Sequence, residues 1–220
     1  MERKKLLIIG GDGHGSLIAA TIKANREVNP DYEWEVAGFL NDVSKDPIDE
    51  YPVLGGTDKI NEFTEQGYYF AWGIHLIAKN RKTVEAFKRM NIPHERLATI
   101  VHHTAIIEEN VVLAPGCYVG PQAIIAPRVH LGIGTMVKAG ASLGHDVKCG
   151  PLCHFARGSI TGSGSKIGIC SDVALGSIIL DHGHIGDYSM AGSGSMVTHP
   201  IPDGEIWVGL PARFLKNMPD

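Results

Sequence analysis

Residues 119–155 read VGPQAIIAPRVHLGIGTMVKAGASLGHDVKCGPLCHF, and they count in sixes. Val119, Ile125, Leu131, Val137, Leu143, Cys149 and Phe155 fall one hexad apart. Four residues after each stands a small or modest side chain: Ala123, Val129, Thr135, Ala141, Val147, Cys153 and Ser159. The register runs back through Leu113 and Ile107 to Val101, and forward through Thr161, Ile167, Val173, Ile179, Ile185 and Ala191 to Val197, with no residue inserted or lost. Glycine often follows the hexad residue directly, as at Gly120, Gly132, Gly144, Gly150, Gly162, Gly168, Gly186 and Gly192.

A period of six is neither the 3.6 of a helix nor the alternation of a strand. It is the period of a solenoid of short strands and tight turns, three hexads to a coil, each coil stacked on the last. The aliphatics point inward, small residues fill the crowded corners, and the glycines are read as supplying turn geometry. Chance spacing in a glycine-rich β-sandwich does not hold register for so long.

The whole chain has 220 residues, a net charge of −4 and ordinary hydrophobicity, enough for one solenoid and one small domain. No basic excess points to nucleic acid, and no apolar run is long enough to span a membrane. Leu6-Leu7-Ile8-Ile9 is too short for a secretory signal and reads as a buried first strand, so a cytoplasmic location is expected. Four cysteines suit a reducing compartment. Cys117 and Cys153 lie two coils apart, roughly 9–10 Å at strand spacing, beyond the disulfide reach of about 7 Å. Cys149-x-x-x-Cys153 lacks zinc-knuckle spacing, and the cysteines read as small core residues.

Ahead of the solenoid, Lys4–Ile9 reads as a buried strand, followed by Gly10-Gly11-Asp12-Gly13-His14-Gly15 and a helix to about Asn29-Pro30. A second strand covers 35–40 and ends in Asn41-Asp42; 46–56 reads as loop. A short helix near 57–65, a strand at 68–72, a helix over 76–90 and a strand at 97–101 complete a Rossmann-like α/β unit. The expected division is 1–100 for this unit, 101–198 for the solenoid, and 199–220 for a capping tail. The glycine turn is neither a strict G-x-G-x-x-G, since Ser16 takes the third glycine position, nor a P-loop. Its backbone N–H groups at a helix start suit a phosphate, and a merely tight turn explains it equally. Ligands of open α/β sheets bind at the carboxyl ends of strands, where His14, Asn41, Asp42 and Gly73 converge.

Most of the eleven histidines sit at outward or turn positions of a β-solenoid and read as surface residues. His145 differs: it follows Gly144 at a corner and precedes Asp146, a carboxylate placed to orient or charge-stabilise the imidazole. His154 lies half a coil further on, projecting from another part of the prism, so the two do not meet within one subunit. In a trimer, His145 of one subunit approaches His154 of its neighbour, placing a site at the subunit interface.

An uninterrupted hexapeptide β-helix behind an α/β unit with Gly-Gly-Asp-Gly-His-Gly, together with Gly144-His145-Asp146, His154 and the closing Val208-Gly209-Leu210-Pro211-Ala212-Arg213, resembles the sialic-acid O-acetyltransferase-like family. That family includes N-acetyltransferases of nucleotide-linked amino sugars, and the likeness covers essentially the whole chain. It implies a left-handed β-helix, a homotrimer with active sites at its interfaces, acetyl-CoA as donor and no metal. It further implies His145 as general base tuned by Asp146. His154 would stand near the acetyl carbonyl, and Ser163, Leu175 and Ser193 along the pantetheine. Asp12, Gly13, His14, Asn41, Asp42 and Gly73 would hold the nucleotide sugar. Ser163 and Ser193 depart from the glycines of relatives, and Lys138 stands where some have Asn.

The function so implied is N-acetylation of a nucleotide-linked amino sugar, a 4-amino-4,6-dideoxy hexose by family likeness. The amine loses a proton as it attacks the thioester, and a positioned histidine is suited to take it. The oxyanion needs a donor, a backbone N–H or His154. Two alternatives stand: transfer to a sugar hydroxyl on the same scaffold, and, more remotely, a zinc-dependent β-helix hydratase with three converging histidines.

Overall fold

The computed structural model describes residues 3–219. A four-stranded parallel sheet opens the chain, built from β1 (Lys4–Ile9), β2 (Trp34–Leu40), β3 (Val53–Gly55) and β4 (Tyr69–Trp72) in the order β3-β2-β1-β4. Leu6, Leu7, Ile8 and Ile9 are fully buried, since helices cover both faces and leave no solvent side for alternation. The helices are α1 (His14–Val28), α2 (Ile60–Glu65) and α3 (Asn80–Met90). Within the segment 46–56, expected to be loop, Val53–Gly55 adds an edge strand on Phe39 and Leu40. The helix expected from 76 starts at Asn80, because Ala78 takes a left-handed φ of 55° and breaks the turn before it.

From Ile100 to Val197 the chain winds as a left-handed parallel β-helix whose two-residue strands pair with those one coil, or 18 residues, away, as His154 pairs with Met136 and Asp172. Three faces result. The hexad aliphatics fill the prism, with Val119, Ile125, Val137, Phe155, Val173, Ile185 and Ala191 all at 0% exposure. Several of the small residues between them satisfy buried hydroxyls on backbone carbonyls, as Ser171 Oγ does on Gly186 O at 2.6 Å.

Turn geometry is supplied elsewhere than the sequence suggests. Positive φ falls every sixth residue from Asn110 to Gly194, between 47° and 76°, and is carried by Gln122, Arg128, Asp146, Leu152, Cys170, His182 and Tyr188 as well as by glycines. The glycines directly after the hexad residue serve close packing instead. A Cβ on Gly132 would collide with the Gly150 carbonyl, and one on Gly144 would stand 2.7 Å from Ser163 N.

The outward residues distinguish the faces. On the first, Ile100, Tyr118, Met136, His154, Asp172 and Met190 are buried, Tyr118 and Met136 in one apolar cluster with Ile18 and Ile22 of α1. The α/β unit sits on this face, tied by Thr21 to Tyr118 (3.0 Å) and by Asn25 Nδ2, which donates to Val101 O at 2.7 Å. The second face presents Ile106, Ile124 and Ile160 at 54%, 40% and 48% exposure, in line with Ile178 and Met196. The third carries His130, Lys148, Lys166 and His184 to solvent. A hairpin of Glu205–Gly209 and Ala212–Asn217 closes the last coil by pairing with Met190–Ala191.

Candidate functional site

The carboxyl ends of β1, β2 and β4 open into a cleft of about 660 Å³. Asp12, Gly13, His14, Asn41, Asp42 and Gly73 all line it, so the six residues grouped by sequence share one cavity. Gly10 reaches φ +130°, and a Cβ there would stand 2.6 Å from Gly73 O; the glycine turn and the end of β4 are thereby packed together. Gly13 caps α1 without a side-chain bond, leaving the helix's first N–H groups for a ligand. Two of the six have internal duties. Asp42 accepts from Thr57 N at 2.6 Å and Thr57 Oγ1 at 2.7 Å, and Asn41 Oδ1 accepts from Val43 N at 2.7 Å, so these carboxylate and amide oxygens shape the rim.

Beneath the cleft lies a buried polar cluster shared between the α/β unit and the β-helix. Lys138 Nζ donates to His14 Nδ1. Burial, then the charge of Arg157, lowers Lys138 to about 7. His14 falls to about 3, from burial first and the Lys138 ammonium second, which keeps the imidazole neutral. Asp172, 1% exposed, accepts from His75 Nε2 at 2.6 Å and Asn80 Nδ2 at 3.0 Å, and lies 3.3 Å from His154 Nδ1. Burial alone would raise this carboxyl, but the electrostatic pull of His75 beside it and the hydrogen bonds with both histidines hold it below the usual carboxylate range. Burial lowers His154, and its Nε2 is buried with no partner. The His75 and His154 rings stack at 4.4 Å, 25° apart, and His14 meets His154 edge-on at 5.4 Å.

Sequence reading did not single out His75, Asn80 or Asp172. The available signal was the eighteen-residue column Ile100, Tyr118, Met136, His154, Asp172, Met190, in which a carboxylate interrupts an apolar series. His75, His154 and Asp172 place one ligand atom each within 4.8 Å of one another, a composition able to hold a metal ion. Their arrangement favours hydrogen bonds: both imidazoles turn a nitrogen to one carboxylate oxygen, their planes stack, and Asn80 holds the other oxygen.

His145 and Asp146 stand apart from this cluster, their side chains open to solvent at the corner that follows the second face. His145 Nδ1 lies 2.7 Å from Asp146 Oδ2, and Arg128, one coil earlier, donates to both Asp146 oxygens at 2.8 Å. The Arg128 guanidinium first, and His145 second, hold the Asp146 carboxyl well below its ordinary range. Ser163 occupies the same column one coil on, marked by the bond from Gly164 N to His145 O at 2.8 Å. Leu175 and Ser193 stack on a different corner, after the first face, where Gly194 N donates to Leu175 O at 2.8 Å. His154 lies buried under the α/β unit. One subunit thus divides the predicted residues among the cleft, the His145 corner and the Leu175 corner.

Comparison with known proteins bears on this architecture. Residues 5–86 match the family model described as the PglD N-terminal domain. A mutant of perosamine N-acetyltransferase from Caulobacter crescentus, solved in complex with CoA and GDP-perosamine, superposes with a TM-score of 0.85 at 22% identity, covering 97% of each chain. The acetyltransferase domain of PglB from Neisseria gonorrhoeae, in complex with acetyl coenzyme A, gives 0.83 at 24% identity, covering 97% of this chain and all of that one. Mitochondrial gamma carbonic anhydrase 1 of Arabidopsis thaliana is 24% identical over 166 residues; the match takes in 61% of this chain and 58% of that protein. The chain thus spans just over half the length of that curated relative. At these identities the likeness establishes the fold. The chain joins an α/β unit matching the PglD N-terminal domain over residues 5–86 to a left-handed parallel β-helix, the fold it shares with these solved structures.

Proposed function

We propose that the protein is an acetyl-CoA-dependent N-acetyltransferase acting on a nucleotide-linked amino sugar, as a homotrimer with sites between subunits. The observation that carries this reading is the cleft: a helix N-terminus, glycine turn and neutral His14 at the carboxyl ends of a parallel sheet, on a fold shared with enzymes solved with CoA and GDP-perosamine. The trimer is supported by the second face, whose exposed Ile106, Ile124 and Ile160 form an apolar stripe. Cyclic packing through that stripe covers the neighbouring corner that holds His145.

In this reading the nucleotide lies along the glycine turn, its phosphates toward the start of α1. His145 takes the proton from the attacking amine, a contribution of about 10²–10⁴-fold for a well-placed base. Asp146, fixed by Arg128, holds the imidazole by its Nδ1 and leaves Nε2 for the amine. Attack on the thioester carbonyl forms the amide and releases CoA as the thiol. Backbone N–H groups at the coil corners are suited to the oxyanion. Ser163, Leu175 and Ser193 then line the pantetheine.

The test is thiol release from acetyl-CoA across UDP-, dTDP- and GDP-linked 4-amino-6-deoxy sugars, with hydroxyl sugars alongside. Rapid release with an amino sugar is the expected result. Release with hydroxyl sugars alone moves the activity to O-acetylation, and none with either class overturns the reading.

A further inference from the structure

His75 has no place in the chemistry just described, yet it lines the cleft beside His14. The two imidazoles are each tied from behind by a buried ionisable group, a lysine amine behind His14 and a carboxylate behind His75. While it holds its third proton Lys138 only donates, so it then occupies the lone pair of His14 Nδ1 and the proton of that ring sits on Nε2. A carboxylate only accepts, so Asp172 requires the proton of His75 on Nε2, at 2.6 Å, and in the neutral ring leaves Nδ1 bare. The rings share a tautomer but are anchored by different nitrogens. His14 keeps a donor for a ligand and His75 keeps an acceptor. His154 Nε2, by contrast, is buried with no partner.

We propose that His75, oriented by Asp172, is a specificity-determining residue that accepts a hydrogen bond from an N–H or O–H donor on the sugar, while His14 donates to an oxygen of the same ligand. The inference rests on the nucleotide-amino-sugar reading above. The β-helix supplies Asp172, and the α/β unit supplies His75 and Asn80, which clamps the second carboxylate oxygen. The acceptor is therefore set only when the two units are docked. Asp172 is a positioning residue, acting through the imidazole and touching no substrate.

The experiment uses the intact protein and the amino sugar nucleotide that turns over in the panel. His75→Ala is expected to raise the KM for that acceptor about tenfold or more, as loss of a buried hydrogen-bond partner does. kcat and the calorimetric affinity for the bare nucleoside diphosphate stay near wild type. His75→Asn, which keeps an acceptor near the Nδ1 position, recovers part of the loss. Nitrogen-15 histidine NMR should show His75 protonated at Nε2, with the proton redistributed to Nδ1 in Asp172→Asn.

An unchanged KM in His75→Ala overturns the proposal, as does an equal loss of affinity for the bare diphosphate. So does one equivalent of divalent metal bound by the wild type and lost in His75→Ala. Absence of turnover with every acceptor sinks the enzymatic reading, whereas the NMR arm tests the locked tautomer by itself.

Discussion

His145 Nδ1 and Asp146 Oδ2 stand 2.7 Å apart on a corner of the β-helix, and Asp146 reaches that position with a left-handed φ of 61°. Aspartate tolerates this conformation better than most side chains. The corner therefore places a carboxylate and an imidazole side by side without glycine, and Arg128 fixes the carboxylate from the coil before. His145→Ala should lower kcat by about 10²–10⁴-fold, with trimer formation and CoA affinity retained. Near-wild-type turnover would remove His145 from the mechanism.

Asp146→Asn tests whether the carboxylate matters beyond position. The pair is exposed in the single subunit, and exposed pairs are weak because water screens them. A modest loss of kcat is expected from an uncovered corner. A loss approaching that of His145→Ala means that a neighbouring subunit covers the pair and removes the screening. Kinetics of the variant beside its sedimentation mass separate the two.

The second face carries the oligomer prediction. Ile160→Glu puts a carboxylate into the outward column of Ile124, Ser142, Ile160 and Ile178 that carries the apolar stripe, while leaving the inward residues Thr161 and Ile179 in place. Analytical ultracentrifugation should show monomer, circular dichroism should keep the β-helix spectrum, and acetyl transfer should fall with the trimer. A trimer that persists with this substitution would move the interface to another face.

The β-helix was legible because its signal is local and repeated: a six-residue period leaves one choice for which side chains point inward. The Gly144-His145-Asp146 corner was equally open to reading, and counting eighteen back from Asp146 even finds Arg128. What sequence could not show was which outward column would be covered. His75 and Asp172 are 97 residues apart and meet only through the docking of one unit on another. The glycines misled for a related reason. Close approach between coils selects glycine at Gly132 and Gly144, while the turn itself accepts Leu152 or Tyr188.

That division of labour is testable by stability. Gly132→Ala forces a methyl into the Gly150 carbonyl, rigid backbone that has nowhere to move. It should cost roughly 3 kcal/mol or more, the upper range of overpacking. Gly140→Ala meets nothing within 4 Å and is penalised only for its φ of +66°, about 1–2 kcal/mol. Thermal unfolding should separate them, with a loss of about 6–12 °C for the first and under about 8 °C for the second. Equal losses would return the glycine requirement to turn geometry.

The buried basic groups of the cleft floor predict the pH dependence of stability. His14 titrates at about 3 in the folded protein against an ordinary 6.5, so across that interval the unfolded chain binds the extra proton and stability rises with pH. Lys138 acts in the same sense higher up, from about 7 toward its ordinary 10.5. Its clean window ends near pH 9, where the buried thiols of Cys117 and Cys170, raised to about 12, begin to favour unfolding as pH climbs. Urea unfolding of wild type and Lys138→Met between pH 7 and 9 should therefore diverge. The wild type gains stability with pH and the variant does not, because methionine carries no charge to desolvate. His14→Asn should flatten the acid limb between pH 4 and 6.5 in the same way. Parallel curves for Lys138→Met and wild type would mean that the Lys138 ammonium is solvated in the folded protein, and that His14 owes its fixed tautomer to something other than a buried donor.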